Sequence, residues 1–193
     1  MKRIIICSIM LLLSIAYGIR VYNVNSQDEY PITQKYAVND EVFIDEDFFN
    51  SNSEDMVGYS VMAKTTQLLT VDEVKKQFNI NDDEMFSLYD HIFLVNVTFG
   101  NHDNNNGEIS GIDIGNYILQ NNGFINIVER DAYAVFNDNK PMKFSLEKGT
   151  YYDLTIPFGI NERFIDIDDL CKGETQLVVS LYPNKKVIDL IRT

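Results

Sequence analysis

The sequence predicts an all-β sandwich with one short inserted helix, preceded by an N-terminal apolar segment. Many short apolar stretches alternate with turn residues along the 193-residue chain, which is typical of a β-sandwich. Only the stretch from Val71 to Phe78 has clear helical periodicity. The roughly 165 residues after the apolar segment are enough for one core, since such a chain buries about two-thirds of its surface. We therefore divide the chain into an N-terminal segment with its tether, residues 1–25, and one domain, residues 31–193.

The N-terminal segment has the layout of a secretory signal. Residues 4–19 contain no charge and follow Lys2 and Arg3. Ala16 and Gly18 provide the small residues that a cut after Gly18 would need. Sixteen helical residues span only about 24 Å of a hydrocarbon core about 30 Å thick, although flanking basic side chains can extend that reach. Two alternatives stay open: a signal-anchor helix that crosses the cell membrane once through residues 4–19, and a secreted product cut near Gly18. In both, the positive-inside rule places the C-terminal domain outside the cytoplasm.

Charge and cysteine content exclude several classes of protein. The net charge is -13, and beyond residue 27 the chain has 13 basic against 29 acidic residues. Such a chain repels phosphate backbones, so we expect no nucleic-acid partner. Cys171 is the only cysteine outside the apolar segment, which excludes an intramolecular disulfide there. We expect Cys171 to be a buried small residue rather than a catalytic thiol.

The first half of the domain is predicted to contain three strands and the helix. Two short strands flank Asn39-Asp40, a dipeptide that favours a hairpin turn. A longer strand covers residues 56–66. Thr70 and Glu73 then form a capping box for the helix over residues 71–78, and a weaker box at Asn81 and Glu84 favours a further helical turn over residues 85–91.

The second half begins with the strongest strand, His91 to Gly100. Its alternation places one set of apolar residues on a single face, for which we predict burial: Phe93, Val95, Val97 and Phe99. Further strands are predicted over residues 112–119, 123–128, 132–136, 144–156, 176–182 and 186–191. Turns are predicted at residues 121–123, 137–141, 148–149 and 183–184.

Five positions of the second half form a recognisable pattern, in which a Leu and a Gly near a turn are followed by a Phe and then by a Leu- and Val-rich last strand: Leu146, Gly149, Phe158, Leu177 and Val179. With them, residues 91–190 resemble the telokin-like, immunoglobulin-like domains of unknown function found in membrane-anchored or secreted proteins of Gram-positive bacteria. The resemblance implies an immunoglobulin-like β-sandwich at the bacterial cell surface. It supplies no catalytic residue, and the helix at residues 71–78 and the segment 160–170 depart from the pattern.

No side chains form a recognisable catalytic constellation. His91 and His102 are the only histidines, so a Ser-His-Asp or Cys-His site would need one of them. His91 begins a strand, where a polar residue is ordinary. His102 falls in a loop, and a flexible loop is a poor support for a general base. We therefore expect no enzyme activity, no catalytic or metal-binding residues and no cofactor.

Calcium is the one inorganic ligand that the sequence raises as an alternative, because hard cations prefer carboxylate and amide oxygens. We expect the acidic loops to be solvated instead. Three stretches supply such oxygens: the carboxylates Asp40, Glu41, Asp45, Glu46, Asp47, Glu54 and Asp55; the faintly EF-hand-like His102–Asp113; and the cluster Asp166, Asp168 and Asp169.

The expected function is a non-enzymatic, extracytoplasmic module with a protein-interaction or structural role at the cell surface. Its protein partner is not identifiable from the sequence. A partner surface would consist of apolar or aromatic side chains that remain exposed. The calcium-dependent surface module is the alternative, and an unrecognised hydrolase is the third.

Overall fold

The computed structural model describes residues 2–27, 32–50, 55–80, 85–105, 111–171 and 174–190. They belong to two units, Met1–Ile32 and Thr33–Thr193. The first unit contains helix α1 (Lys2–Gln27), which has exposed apolar side chains such as Leu12 and Ile15. Among the described residues, no helix combines the length and the apolar character needed to cross a membrane.

The second unit is mostly β-sheet. Its elements in chain order are β1 (Thr33–Ala37), β2 (Val42–Phe43), β3 (Tyr59–Thr70), α2 (Val71–Phe78), β4 (His91–Asn101), β5 (Ile112–Asp113), a 3-10 turn (Ile114–Asn116), β6 (Ile118–Asn121), β7 (Phe124–Ile127), α3 (Arg130–Phe136), β8 (Lys143–Phe144), β9 (Tyr151–Ile160), α4 (Ile167–Cys171), β10 (Gln176–Ser180) and β11 (Lys185–Asp189).

Two main sheets enclose a common apolar core. One has the strand order β1-β11-β10-β6-β7 and the other β2-β3-β4-β9, while β5 and β8 form a small separate pair. Neighbouring strands are antiparallel except β1 and β11, which are parallel. The predicted face of β4 is confirmed: Phe93, Val95, Val97 and Phe99 are all buried in this core. They pack there with residues from the other sheet such as Leu177.

A second, smaller core covers half of the outer face of the four-stranded sheet. Ile92 and Leu94 of β4 lie in it with Val74 of α2 and Ala132 of α3. Helix α2 has the predicted bounds, and its capping box is formed, because Thr70 Oγ1 accepts from the Glu73 N–H while Glu73 accepts from the Thr70 N–H.

The predicted hairpin around Asn39-Asp40 is wrong. β1 pairs with β11 in the five-stranded sheet, whereas β2 pairs with β3 in the other sheet. A turn does form, with Asn39 at a φ of 71°, but it carries the chain between the sheets. Turn residues therefore located the bend without specifying which strands pair.

Other element predictions also need correction. Residues 132–136 belong to helix α3, whose first turn is capped by the Glu129 side chain and whose Ala132 is buried in the second core. The predicted strand over residues 144–156 is two strands, since β8 pairs with β5 and β9 begins at Tyr151. The described part of this unit thus has three α-helices, where one was expected.

Candidate interaction edge

The β6–β7 hairpin determines which backbone groups of β7 face outward. Its loop is the two-residue turn Asn122-Gly123, so the flanking pair Asn121–Phe124 exchanges hydrogen bonds and alternate pairs beyond it do the same. Ile125 and Ile127 occupy the intervening positions. Their backbone N–H and C=O groups therefore point away from β6.

The side chains of the same two residues are exposed. Ile125 is 74% and Ile127 68% exposed, and β7 ends its sheet with no described strand beyond it. Natural edge strands normally carry charges, proline or a covering segment, because an unpaired edge invites another strand. β7 therefore combines an outward-facing backbone with a large apolar surface, and we call Phe124–Ile127 the β7 edge.

The sheet face beside the β7 edge is polar but internally paired. Gln120 Nε2 donates to Gln176 Oε1 at 2.7 Å, and Gln176 Nε2 donates to Asp189 Oδ1 at 2.6 Å. Lys185 Nζ donates to Gln120 Oε1 at 2.7 Å. This ladder lines a groove of about 500 Å³ that also includes Ile125. The exposed isoleucine therefore borders side chains that already have partners.

The β7 edge also lies in a neutral part of an acidic chain. No charged residue occurs between Asp113 and Glu129, the longest uncharged stretch beyond residue 20. The whole β6–β7 hairpin lies inside that stretch. The groove beside Ile125 is lined by one basic and two acidic residues, Lys35, Glu174 and Asp189, so the local charge is close to balanced. A partner approaching here therefore meets less repulsion than a net charge of -13 implies for the whole chain.

The edge of β9 is covered along its C-terminal half, at Thr155, Pro157 and Gly159. Thr155 donates its N–H to Asn137 Oδ1 at 2.9 Å, and its carbonyl accepts from Asn137 Nδ2 at 2.8 Å. Pro157 has no N–H, and its carbonyl accepts from the Glu129 N–H at 2.9 Å. The Gly159 carbonyl accepts from the side chain of Asn126.

The short edge strand β2 is covered by a buried lysine. Lys186 Nζ donates to the Phe43 carbonyl at 2.7 Å and contacts Asp45 Oδ2 at 3.0 Å and Asp47 Oδ2 at 2.6 Å. The side chains of Lys186 and Asp47 are 3% and 2% exposed. Burial lowers the pKa of Lys186, but the hydrogen bonds and charges of the two aspartates outweigh it and raise the pKa.

The contact of Lys186 with Asp45 and Asp47 argues against a calcium site in the first acidic stretch. Asp45 and Asp47 have a basic partner from β11, although no basic residue lies near them in sequence. Asp40 Oδ2 accepts from the Ala37 N–H at 2.8 Å, and Asp55 accepts from Asn104. The carboxylates thus diverge to separate partners. Glu54 lies outside the described residues. Among the residues that the structure describes, no group of three or more His, Cys, Asp or Glu is arranged to hold a metal ion.

The other two acidic stretches have local roles. Asp113 accepts from the Gly115 N–H at 3.0 Å and pairs with Lys143 at 2.9 Å. Residues 106–110 of the EF-hand-like stretch lie outside the described residues. Asp166 Oδ1 accepts from the Asp168 N–H at 2.8 Å at the start of α4.

His102 lies in a bend after β4, consistent with the predicted loop position, and its side chain has several partners. Its Nε2 lies 2.8 Å from Glu41 Oε1 and 3.0 Å from Ser60 Oγ, and its ring packs 4.9 Å from Phe43 and 5.8 Å from Tyr151 between centroids. Ser60 Oγ donates to Glu41 Oε1 at 2.7 Å. The hydrogen bond from Ser60 lowers the pKa of Glu41, burial opposes it, and His102 lowers the pKa further.

This cluster lacks the geometry of a catalytic triad. Glu41 and Ser60 both contact the same imidazole nitrogen, whereas a triad places the acid on the opposite nitrogen from the serine. Ser60 is also only 2% exposed. His91 begins β4 as predicted, with Nδ1 at 3.2 Å from Glu162 Oε1. The Cys171 side chain lies outside what the structure describes.

Among the described residues, these features define a mostly β domain in which β2 and the C-terminal half of β9 have covered edges and the β7 edge is open. The family described as a domain of unknown function, DUF5028, matches residues 33–186, and the chain belongs to this family. No curated protein and no solved structure matches the chain. Sequence reasoning did not identify the β7 edge, although the Asn-Asn-Gly turn and the uncharged stretch around it were both visible signals.

Proposed function

We propose that the protein is an extracytoplasmic, membrane-held or secreted immunoglobulin-like module that binds a protein partner at the cell surface without catalysing a reaction. The observation that carries this proposal is the β7 edge, with Ile125 and Ile127 exposed beside outward-facing backbone groups. Extended partners bind such edges by adding a strand, with the backbone supplying affinity and side chains supplying specificity.

The order of the strands supports the immunoglobulin-like assignment. From β4 onward, the chain alternates between the sheets: β4, then β6 and β7, then β9, then β10 and β11. Repeated crossing between two packed sheets is a feature of β-sandwiches, the architecture to which immunoglobulin domains belong. The telokin-like subclass and a Gram-positive source are the finer parts of the same proposal and rest on the resemblance of residues 91–190.

Export is supported by the N-terminal sequence. Lys2 and Arg3 precede the uncharged residues 4–19, which favours retention of this end in the cytoplasm while the acidic domain crosses. Either anchorage through residues 4–19 or cleavage near Gly18 delivers the same domain to the outside.

The acidic stretches do not favour the calcium-dependent alternative. Their described carboxylates contact Lys186, Lys143, His102 and backbone N–H groups rather than a common point. The Glu41–Ser60–His102 cluster likewise gives no support to a hydrolase, since Ser60 is buried and donates its proton to Glu41.

Photo-crosslinking in intact cells tests this proposal. A photoreactive amino acid replaces Ile127 in one variant of the full chain and Leu88 in another, because Leu88 is comparably exposed at 72%. We expect a protein adduct from position 127 only, and digestion of the domain by protease added outside the cells. Adducts from position 88 alone, or a domain protected inside intact cells, would contradict the proposal.

A further inference from the structure

We propose that the partner of the β7 edge is the β7 edge of a second copy of this chain, paired antiparallel about a two-fold axis at Asn126. This inference rests on the proposed interaction module and names its partner. The same four-residue segment would then contact itself, as in the isologous interfaces of two-fold symmetric dimers.

The pairing follows from the register of the hairpin. With the axis at Asn126, Ile125 of one copy lies opposite Ile127 of the other. These are the two residues whose backbone groups point away from β6. Ile125 N–H of each copy donates to the Ile127 carbonyl of the other, and the two five-stranded sheets continue into one.

The exposed side chains complement each other in the same arrangement. Ile125 and Ile127 share the outer face, so both isoleucines of one copy meet both isoleucines of the second. Directly opposed β-branched residues on one face stabilise antiparallel strands. In any other antiparallel register of this edge, at least one isoleucine of each copy has no isoleucine opposite it.

Charge favours a second copy over a basic partner. A basic partner would be attracted to the acidic surfaces, yet the uncharged stretch between Asp113 and Glu129 offers it nothing to recognise. Two copies that each carry -13 repel least at a surface where the local charge is close to balanced. The β6–β7 hairpin is such a surface, and it has the exposed apolar side chains that association needs.

The contact between two β7 edges would be small, so we expect the association to be reversible. Ile127 N–H already donates to Asn126 Oδ1 at 2.9 Å, so only the Ile125 N–H donors join the copies without rearrangement. The strand is also short. Two intermolecular hydrogen bonds and four isoleucines give a weak contact that forms at high local concentration.

Sedimentation of the full-length chain in detergent measures the association. We expect the mass to rise with concentration from one chain towards two. Ile125→Lys and Ile127→Lys should each raise the dissociation constant at least tenfold. Leu88→Lys and Phe164→Lys are matched controls, because these side chains are 72% and 76% exposed and the charge change is the same. A wild-type chain that stays monomeric, or controls that dissociate equally, overturns the proposal.

Cysteine cross-linking tests the register in a Cys7→Ser, Cys171→Ser background. One tagged copy carries Ile125→Cys and a differently tagged copy carries Ile127→Cys. Opposed residues in a hydrogen-bonded antiparallel pair lie about 5.5 Å apart between Cα atoms, within disulfide range. We expect mixed disulfides to exceed either homotypic disulfide severalfold. A homotypic excess contradicts the antiparallel register.

The two proposals fail differently. If position 127 photo-crosslinks a different protein in cells while the purified chain is monomeric, the interaction module stands and the second copy is rejected. If position 127 yields no adduct in cells and the purified chain is monomeric, both are rejected.

Discussion

Strands β7 and β9 end the two main sheets on the same side of the domain, yet their free edges differ in how far other groups cover them. Asn126 of β7 donates to the Gly159 carbonyl of β9, so the two edges are neighbours. In the C-terminal half of β9, the carbonyls of Thr155, Pro157 and Gly159 accept hydrogen bonds from covering groups, and Thr155 also donates its N–H to one. β7 instead exposes Ile125 and Ile127.

The difference shows that, in the described part of this domain, hydrogen-bonding groups cover some strand edges and leave the β7 edge uncovered. The groups that cover β9 are the side chain of Asn137 at the C-terminal end of α3, the backbone N–H of Glu129 at its N-terminal end and the side chain of Asn126 in β7. The two-residue β2 is covered by Lys186. Because neighbouring edges in one domain differ in this way, the open β7 edge supports the proposal of a functional surface there.

Lys186→Met should have the largest effect, because it removes the cover of β2 and leaves Asp47 buried without its ion-pair partner. Breaking a buried pair in this way typically costs about 3–5 kcal/mol. Chemical denaturation measures the loss. Lys185→Met is the matched control and should cost less than about 1 kcal/mol, since its partner Gln120 is uncharged. Equal losses in both variants would show that Lys186 is not a specific cover.

Asn137→Ala should uncover β9. Asn137 is 4% exposed and makes hydrogen bonds to Thr155 and to the Tyr133 carbonyl. The groups left without partners should lower the free energy of unfolding by about 2–4 kcal/mol and promote aggregation. Asn137→Asp keeps the acceptor for the Thr155 N–H and should fall between the alanine variant and the wild type. Denaturation and light scattering provide the measurements; an alanine variant as stable and soluble as wild type refutes the role.

Gly159→Ala should disturb β9 by a steric route. A β-carbon at this position would overlap the ring of Tyr89. We expect a loss of about 1–3 kcal/mol, as for other overpacked sites. The same substitution in a Tyr89→Ala background should cost much less. Gly123→Ala is the control in the β6–β7 turn, because an added β-carbon there meets open space. No interaction between positions 89 and 159 in the double-mutant cycle would exclude the steric explanation.

The cover of β9 should also weaken at alkaline pH. Tyr89 donates to Glu129 Oε2 at 2.5 Å, and burial together with this carboxylate raises the pKa of Tyr89 to about 12. An unfolded tyrosine titrates near pH 10. The folded state therefore favours the protonated phenol, and its contribution is complete below about pH 10 and lost as pH rises towards 12. Tyr89→Phe should flatten this part of the stability profile; an unchanged profile would assign the loss to other groups.

Ile125→Lys should have the smallest effect on stability. Because the side chain is 74% exposed, its replacement should change the free energy of unfolding by less than about 0.5 kcal/mol. Thermal unfolding at low protein concentration checks this value. A large loss would mean that the β7 edge supports the fold, and the contrast with β9 would disappear.

Local patterns in the sequence predicted the elements that depend on local physics. The alternation in β4 identified the buried face of Phe93, Val95, Val97 and Phe99. The capping box of Thr70 and Glu73 located α2. The outward positions of β4 also signal where the second core ends, since Ile92 and Leu94 are followed by Asn96 and Thr98.

Features that depend on distant parts of the chain were not predictable in this way. The turn at Asn39 does not reveal that β1 pairs with β11. Residues 132–136 contain aromatic and β-branched residues, and α3 forms because it packs on the second core. Lys186 and Asp47 are far apart in sequence. Pro157 did carry a signal that was not used, because proline in a strand indicates an edge.

The parallel pairing of β1 with β11 gives the domain a mechanical property. The strands lie side by side from Thr33–Lys185 to Ala37–Asp189. Tension applied to the N-terminal end of β1 and the C-terminal end of β11 pulls the two strands past each other along their length. The cross-strand bonds then bear the load together in shear, whereas a hairpin pulled at its open end unzips one bond at a time. A domain stretched from its two ends would therefore yield at a high force and in a single step.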